Sequence, residues 1–262
     1  MKDTEKAGKK FRELVQIIQA LRSERGCPWD REQDEKSIAN YFLEEVYEAV
    51  EAIMLDNTKS LAEELGDVLM EVVFLAQIYK EKKKFSIDEV LRGINQKMIH
   101  RHPHVFGHEH KVTSREVTDE WLRRKKEEKE GESIFDGFPN LMPSLLAAFQ
   151  IGLCVSHYGF DWKKPLDALQ KLKEEVSELE RVIKAKNKEE IFQEIGDIFF
   201  SIVNVSRLLG VNPEIALRQT NKKFIERFKY IEKKLKGERK ELGRVSLDEL
   251  DKIWEESKNK IK

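Results

Sequence analysis

The sequence predicts an all-α protein made of tandem duplicated helical-bundle units. Three observations carry this. Apolar residues recur at helical rather than strand spacing over long segments. Helix breakers are sparse, with 6 prolines and 13 glycines in 262 residues. The order of segments restarts midway along the chain, which is the mark of an internal repeat.

The first half reads as helices over 8–24, 36–55, 59–81 and 86–101, the first ending at Arg25-Gly26-Cys27-Pro28. A His- and Pro-containing stretch from His100 to His110 breaks the pattern, and a charged helix over 113–130 follows, ending at Gly131. Asp136-Gly137-Phe138-Pro139 marks a boundary. Helices then follow over 141–156, 165–185, 188–209, 213–235 and 246–259. The expected organisation is an N-terminal domain over 1–111, a charged helical linker over 112–135 and a C-terminal domain over 136–262.

The repeat runs through both domains. FLEEVYEAVEAI (42–53) matches KLKEEVSELERVI (171–183), and AEELGDVLMEVVFLA (62–76) matches FQEIGDIFFSIVNVS (192–206). Glu45, Glu48, Glu64 and Asp67 pair with Glu175, Glu178, Glu194 and Asp197 at one constant offset. Asn95, Lys97 and Arg101 recur as Asn221, Lys223 and Arg227, and Trp121 recurs as Trp254. A looser echo links Cys27-Pro-Trp29-Asp30 to Gly159-Phe-Asp161-Trp162.

Composition narrows the function classes. Charged residues make up 37%, above the usual quarter, which suits long solvated helices. With 48 basic and 49 acidic residues no global field favours nucleic acid, so none is expected as a partner. Two cysteines far apart, Cys27 and Cys154, suit a reducing cytoplasm rather than a disulfide framework. The start, MKDTEKAGKK, has no apolar signal region. No apolar run approaches the roughly 18 residues that span a bilayer, so no membrane partner is expected.

The chemistry lies in the acids. Glu45 and Glu48 are three apart and so sit about 60° apart on one helical face. Glu64 and Asp67 repeat the spacing on the next helix, which is almost apolar all round from Leu65 to Ile78 and is therefore expected to be buried. Glu194 and Asp197 lie in an equally apolar context. Carboxylates there are costly unless paired or bound to a cation. Gly66 and Gly196, each just before the aspartate, are expected to let a neighbouring helix approach closely. Four converging carboxylates offer an oxygen-only site suited to Mg²⁺, with Mn²⁺ as a possible substitute. Ordinary surface glutamates are the competing reading, and for Glu44, Glu51 and Glu174 it weighs as much as the functional one.

These residues resemble a known family. Glu44-Glu45-x-x-Glu48 followed by Glu64-x-x-Asp67, and again Glu174-Glu175-x-x-Glu178 followed by Glu194-x-x-Asp197, resemble the MazG signature. GCPWDREQ (26–33), HRHPHVFG (100–107) and the tandem arrangement are similar to it too, and the resemblance covers nearly the whole chain. It implies an all-α nucleoside triphosphate pyrophosphohydrolase fold assembled as a homodimer. It also implies Mg²⁺-dependent hydrolysis of a broad range of NTPs and dNTPs to monophosphate and pyrophosphate, a nucleotide-pool house-cleaning activity. Glu45, Glu48, Glu64 and Asp67 would then be metal ligands of one site, and Glu175, Glu178, Glu194 and Asp197 those of the other. Glu44 and Glu174 would help to position water. The resemblance points to the second copy as the competent one. Glu71 departs from the repeat: it adds an acid where the second copy has Ser201, so the two sites are expected to differ.

A triphosphate needs cations besides the metal. Lys97 with Arg101, and Lys223 with Arg227, lie on one face of their helices after Asn95 and Asn221, readable as phosphate contacts or as solvated faces. The resemblance puts Trp254 on the base, and Trp121 matches it; a core or interface tryptophan is the alternative. Five of the six histidines lie between His100 and His110, without nearby cysteines, and read as an ordered linker rather than a zinc site. A di-iron carboxylate bundle would need Glu-x-x-His, which neither Glu45 nor Glu64 begins. The remaining alternative is a nucleotide-binding regulatory protein with degenerate sites.

Overall fold

Good helix caps set the element boundaries. Asp34 accepts hydrogen bonds from the backbone N–H groups of Lys36 and Ser37 and forms a capping box with Ser37. Asn57, Asn187 and Asn212 accept from the first-turn amides of the helices they precede, satisfying donors that have no partner within the helix. The structure is a computed structural model and describes residues 2–107 and 133–261, with Thr113, Glu116, Val117, Glu120 and Arg124 between them. Most of the expected linker helix, including Trp121, and His108 and His110 lie outside the described residues.

The chain forms two compact units, Met1–Glu128 and Lys129–Lys262. In unit 1 the helices are α1 (Lys2–Leu21), α2 (Pro28–Glu32), α3 (Glu35–Met54), α4 (Thr58–Glu81), α5 (Ile87–Arg101) and the single turn α6 (Pro103–Phe106). In unit 2 they are α7 (Ser144–Ser156), α8 (Pro165–Ala185), α9 (Lys188–Leu208), α10 (Pro213–Gly237) and α11 (Leu247–Lys260), with a 3-10 turn at Leu242–Arg244. The described residues contain no strand, as the helical periodicity predicts. The short helix α2 and the turn α6, in segments read as breaks, are additions; both begin at a proline in the first helical turn, where its missing N–H costs nothing.

Each unit is organised around one helical hairpin, α3 with α4 and α8 with α9. In unit 1, α1 packs along α4, and Ile18, Ile38, Val73, Phe74 and Ile78 form the buried core. In unit 2, α7 packs against α9, and α10 with α11 bury Ile231, Leu235 and Ile253.

The loop before each hairpin is held by an arginine. Arg22, in the turn just after α1, donates to the carbonyl oxygens of Asp30 and Gln33, at 2.6 and 3.0 Å, and pairs with Glu81 of α4. In unit 2 the arginine comes from α9 instead: Arg207 grips Asp161 and also donates to Asn204 Oδ1. Gly152 of α7 makes room for it, since a Cβ there would lie 2.6 Å from Asn204 Oδ1 and 2.8 Å from Arg207 Nε.

Two expectations about the acid-bearing helices are overturned. The helix from Leu65 to Ile78 is buried on one side only, with Leu65 and Leu69 exposed. On α9, Phe192, Ile195, Phe199 and Ile202 form an exposed stripe, Phe192 at 81% and Phe199 at 55%. Gly66 and Gly196 likewise face open space rather than a neighbouring helix. The hairpin partner and one further helix cover only part of each cylinder, so an all-round apolar sequence leaves one face open.

Candidate metal centre

The hairpins bring together acids that the sequence separates by about twenty residues. Glu45 on α3 meets Glu64 and Asp67 on α4, with one carboxylate oxygen of each within 4.8 Å of the others. Glu175 on α8 meets Glu194 and Asp197 on α9 in the same way. Glu48 and Glu178 stand outside these trios but beside them. Burial raises the Glu48 carboxyl above the usual carboxylate range, the charge of Glu64 adds to this, and the two share a hydrogen bond. Glu178 is the foremost charge acting on Glu194.

Burial and crowded like charge raise several of these carboxyls. Burial raises the Glu45 carboxyl, with further pushes from Asp67, Glu48 and Glu64. Burial also raises Glu194, helped by Glu178, Glu175 and Asp197 and opposed by Arg181. Glu71 is pushed up to about 7 by burial and by the charges of Glu45 and Asp67. Its Oε2 is buried and has no hydrogen-bond partner. Clustered oxygen donors with a buried, unpartnered carboxylate fit a hard divalent cation, which would neutralise them together.

The two clusters are not alike. Ser60 donates to Glu64 in unit 1 at 3.2 Å. In unit 2 the Lys171 Nζ lies 2.8 Å from Glu175 and 3.6 Å from Glu174. At the matching place in unit 1 stands Tyr41, one turn before Glu45, with its ring 6.1 Å from that of Trp29 and both exposed. Neither Tyr41 nor Lys171 stood out in the sequence, although each lies four residues before a clustered glutamate. That helical spacing was the available signal.

The other anticipated residues are spread more widely. Glu44 and Glu174 are exposed beside their clusters. Lys97 is exposed on α5 and Arg101 is half-buried at its end. Asn221 and Lys223 are exposed on α10. Arg227 lies over the Trp254 ring, 5.8 Å from its centre, and donates to the Ile261 carbonyl at 3.2 Å. Trp254 itself packs half-buried against Phe224 at 4.9 Å and against the α10–α11 core. His102 binds the Met98 carbonyl through Nδ1 at 2.7 Å and lies beside His104.

Paired helical hairpins, each presenting a three-carboxylate cluster, define a tandem all-α protein with two candidate cation sites. Its sequence relationships specify the family. The model of the MazG nucleotide pyrophosphohydrolase domain matches residues 33–106 and 163–231. A protein named nucleoside triphosphate pyrophosphohydrolase/pyrophosphatase MazG from Thermotoga maritima is 42% identical, over 96% of this chain and 97% of its own length. A nucleoside triphosphate pyrophosphohydrolase from Escherichia coli K12 is 37% identical, over 94% and 95%. A mazG-related protein of known structure from Thermotoga maritima shares 28% identity with a TM-score of 0.39, covering 44% of this chain and 98% of its own. The chain belongs to the MazG nucleotide pyrophosphohydrolase family, and is an enzyme of the hydrolase class. The tandem arrangement seen in the repeat corresponds to the two matched segments.

Proposed function

We propose that this chain hydrolyses nucleoside triphosphates, across a broad range of NTPs and dNTPs, to the monophosphate and pyrophosphate. The observation that carries the reading is the recurrence of one acidic trio on two matched hairpins, within 4.8 Å in each. Glu45, Glu48, Glu64 and Asp67 would hold a cation in unit 1, and Glu175, Glu178, Glu194 and Asp197 in unit 2. A bound Mg²⁺, or Mn²⁺ in its place, would neutralise phosphate oxygens and acidify bound water.

The chain's own residues do the rest. Glu174 and Glu44, exposed beside the clusters, accept a hydrogen bond from water and aim it at the α-phosphorus, so that pyrophosphate leaves. Lys97 and Arg101, and Asn221, Lys223 and Arg227, meet the remaining phosphate charge, and Trp254 offers its ring to the base. Residues 1–111 and 136–262 are read as two MazG-like domains joined by a charged linker over 112–135.

The reading includes a homodimer. Phe192, Ile195, Phe199 and Ile202 recur at alternating spacings of three and four, the seam spacing of paired helices, and are exposed on the helix that carries Glu194 and Asp197. A second copy covering that stripe would also enclose the acidic site. No helix among the described residues is long and apolar enough to cross a membrane. Two free cysteines suit the reducing cytoplasm.

The test is incubation with each common NTP and dNTP plus Mg²⁺, with product identification, for the wild type and the E45Q and E175Q variants. Monophosphate plus pyrophosphate, lost in E175Q, supports the reaction and assigns it to unit 2. Loss in E45Q alone moves it to unit 1. Diphosphate plus phosphate, or no product with any nucleotide, overturns the reading.

A further inference from the structure

Position 71 separates the two copies. Glu71 lies one turn beyond Asp67 on α4, is only 5% exposed, and has its Oε2 buried without a hydrogen-bond partner. Its carboxyl faces the charges of Glu45 and Asp67. Among the described residues no lysine or arginine forms an ion pair with Glu45, Glu64, Asp67 or Glu71. Unit 2 has the reverse arrangement. The matching position is Ser201, which is buried, and Lys171 lies 2.8 Å from Glu175. Unit 1 therefore adds the buried Glu71, one turn from its trio, to the four acids read as its ligands, whereas unit 2 has a serine there and carries a lysine against Glu175.

A buried carboxylate without a partner is among the costlier features a helix can carry. A divalent ion would remove that cost, and its affinity rises with the number of carboxylates that meet it. We propose that Glu71 is an additional carboxylate ligand, beside Glu45, Glu48, Glu64 and Asp67, of a divalent-cation site in unit 1 that holds its ion without nucleotide. Unit 2 then holds its ion weakly until phosphate oxygens supply the missing negative charge. This rests on the cation reading given under the proposed function. It adds that the two sites are loaded differently, and that Glu71 makes the difference.

The test uses the full chain, stripped with a chelator, desalted and titrated with Mn²⁺ while the free ion is followed by electron paramagnetic resonance. The wild type is expected to show two classes of site separated by at least about tenfold in Kd, as one additional full ligand charge implies. E71Q keeps the side chain's shape and removes its charge; it should weaken the tight class by about tenfold or more and leave the weak class in place. E71S, matching unit 2 at this position, should do the same, so the outcome does not depend on one variant folding. A second readout is thermal unfolding at pH 8. E71Q should raise the midpoint of the metal-free protein, by removing an unpartnered buried charge, and should gain less from added Mn²⁺.

A single class of site in the wild type overturns the proposal. So does a tight class that both position-71 variants leave unchanged while E45Q weakens it, a result that keeps the cation reading intact. Absence of Mn²⁺ binding, or binding that neither E45Q nor E175Q alters, overturns the cation reading itself.

Discussion

Arg207 grips Asp161 from two sides, Nη1 to Oδ2 at 3.0 Å and Nη2 to Oδ1, with the guanidinium almost wholly enclosed between α7 and α9. This pair ties the loop before α8 to the helix that carries Glu194 and Asp197. Removing one partner of a buried pair leaves the other charge uncompensated, which typically costs 3–5 kcal/mol. D161N should therefore destabilise unit 2 by about 3 kcal/mol at pH 7, read from the denaturant midpoint of its unfolding transition.

The same pair sets a pH dependence. Hydrogen bonding and charge from Arg207 hold the Asp161 carboxyl below its ordinary value of 3.8, against a smaller opposing effect of burial. A carboxyl with a depressed folded pKa binds its proton less readily in the native state. Its stabilisation is therefore complete above about 3.8 and is lost as pH falls through the folded value. The stability difference between wild type and D161N should be constant at neutral pH and shrink below pH 3.8. A difference that grows on acidification would contradict this.

Gly152 sits where α7 passes Arg207. Alanine is the better helix former by about 1 kcal/mol, so G152A would stabilise an open position. Here the added Cβ would lie 2.6 Å from Asn204 Oδ1 and 2.8 Å from Arg207 Nε. Asn204 is pinned by its bond to the Phe200 carbonyl at 3.1 Å, and Arg207 by Asp161, so neither yields cheaply. Overpacking costs typically 1–3 kcal/mol and outweighs the helix gain, so G152A should lower the unit 2 midpoint, whereas G196A, facing open space, should not.

Lys171 neutralises part of the unit 2 cluster. Its pKa is raised, chiefly by the hydrogen bond with Glu175, so it stays charged at neutral pH. A half-exposed pair of this kind contributes up to about 1 kcal/mol, a factor of roughly five in an equilibrium constant. K171M should lower the Mg²⁺ concentration for half-maximal activity by about two- to fivefold without changing the products. An increase would mean that Lys171 serves the phosphates rather than opposing the metal.

The stripe on α9 gives the assembly prediction. Wild type should sediment as a dimer, and F199D, placing a charge in the exposed apolar row, should shift it to monomer while helical content is retained. Multi-angle light scattering and circular dichroism check both halves. A monomeric wild type would count against the homodimer.

Much of this was legible before any coordinates. Apolar spacing placed the long helices to within a few residues, because caps such as Asp34 and Asn187 are local signals that act on the nearest turn. α1 began earlier than anticipated, since its first turn is polar and periodicity has nothing to register there. The sequence by itself determined the all-α class, the duplication, and the pairing of Glu45 with Glu175 and of Asp67 with Asp197, because these depend on spacing along one chain. Only the tertiary structure decided that Glu48 stands outside the trio of Glu45, Glu64 and Asp67, that Lys171 occupies Glu175, and that Glu71 Oε2 is buried without a hydrogen-bond partner. It also decided that the arginine holding each hairpin's loop comes from the turn after α1 in one unit and from α9 in the other. Those facts depend on how neighbouring helices are rotated about their own axes. The periodicity of a single helix that is apolar all round leaves that rotation undetermined, and packing settles it.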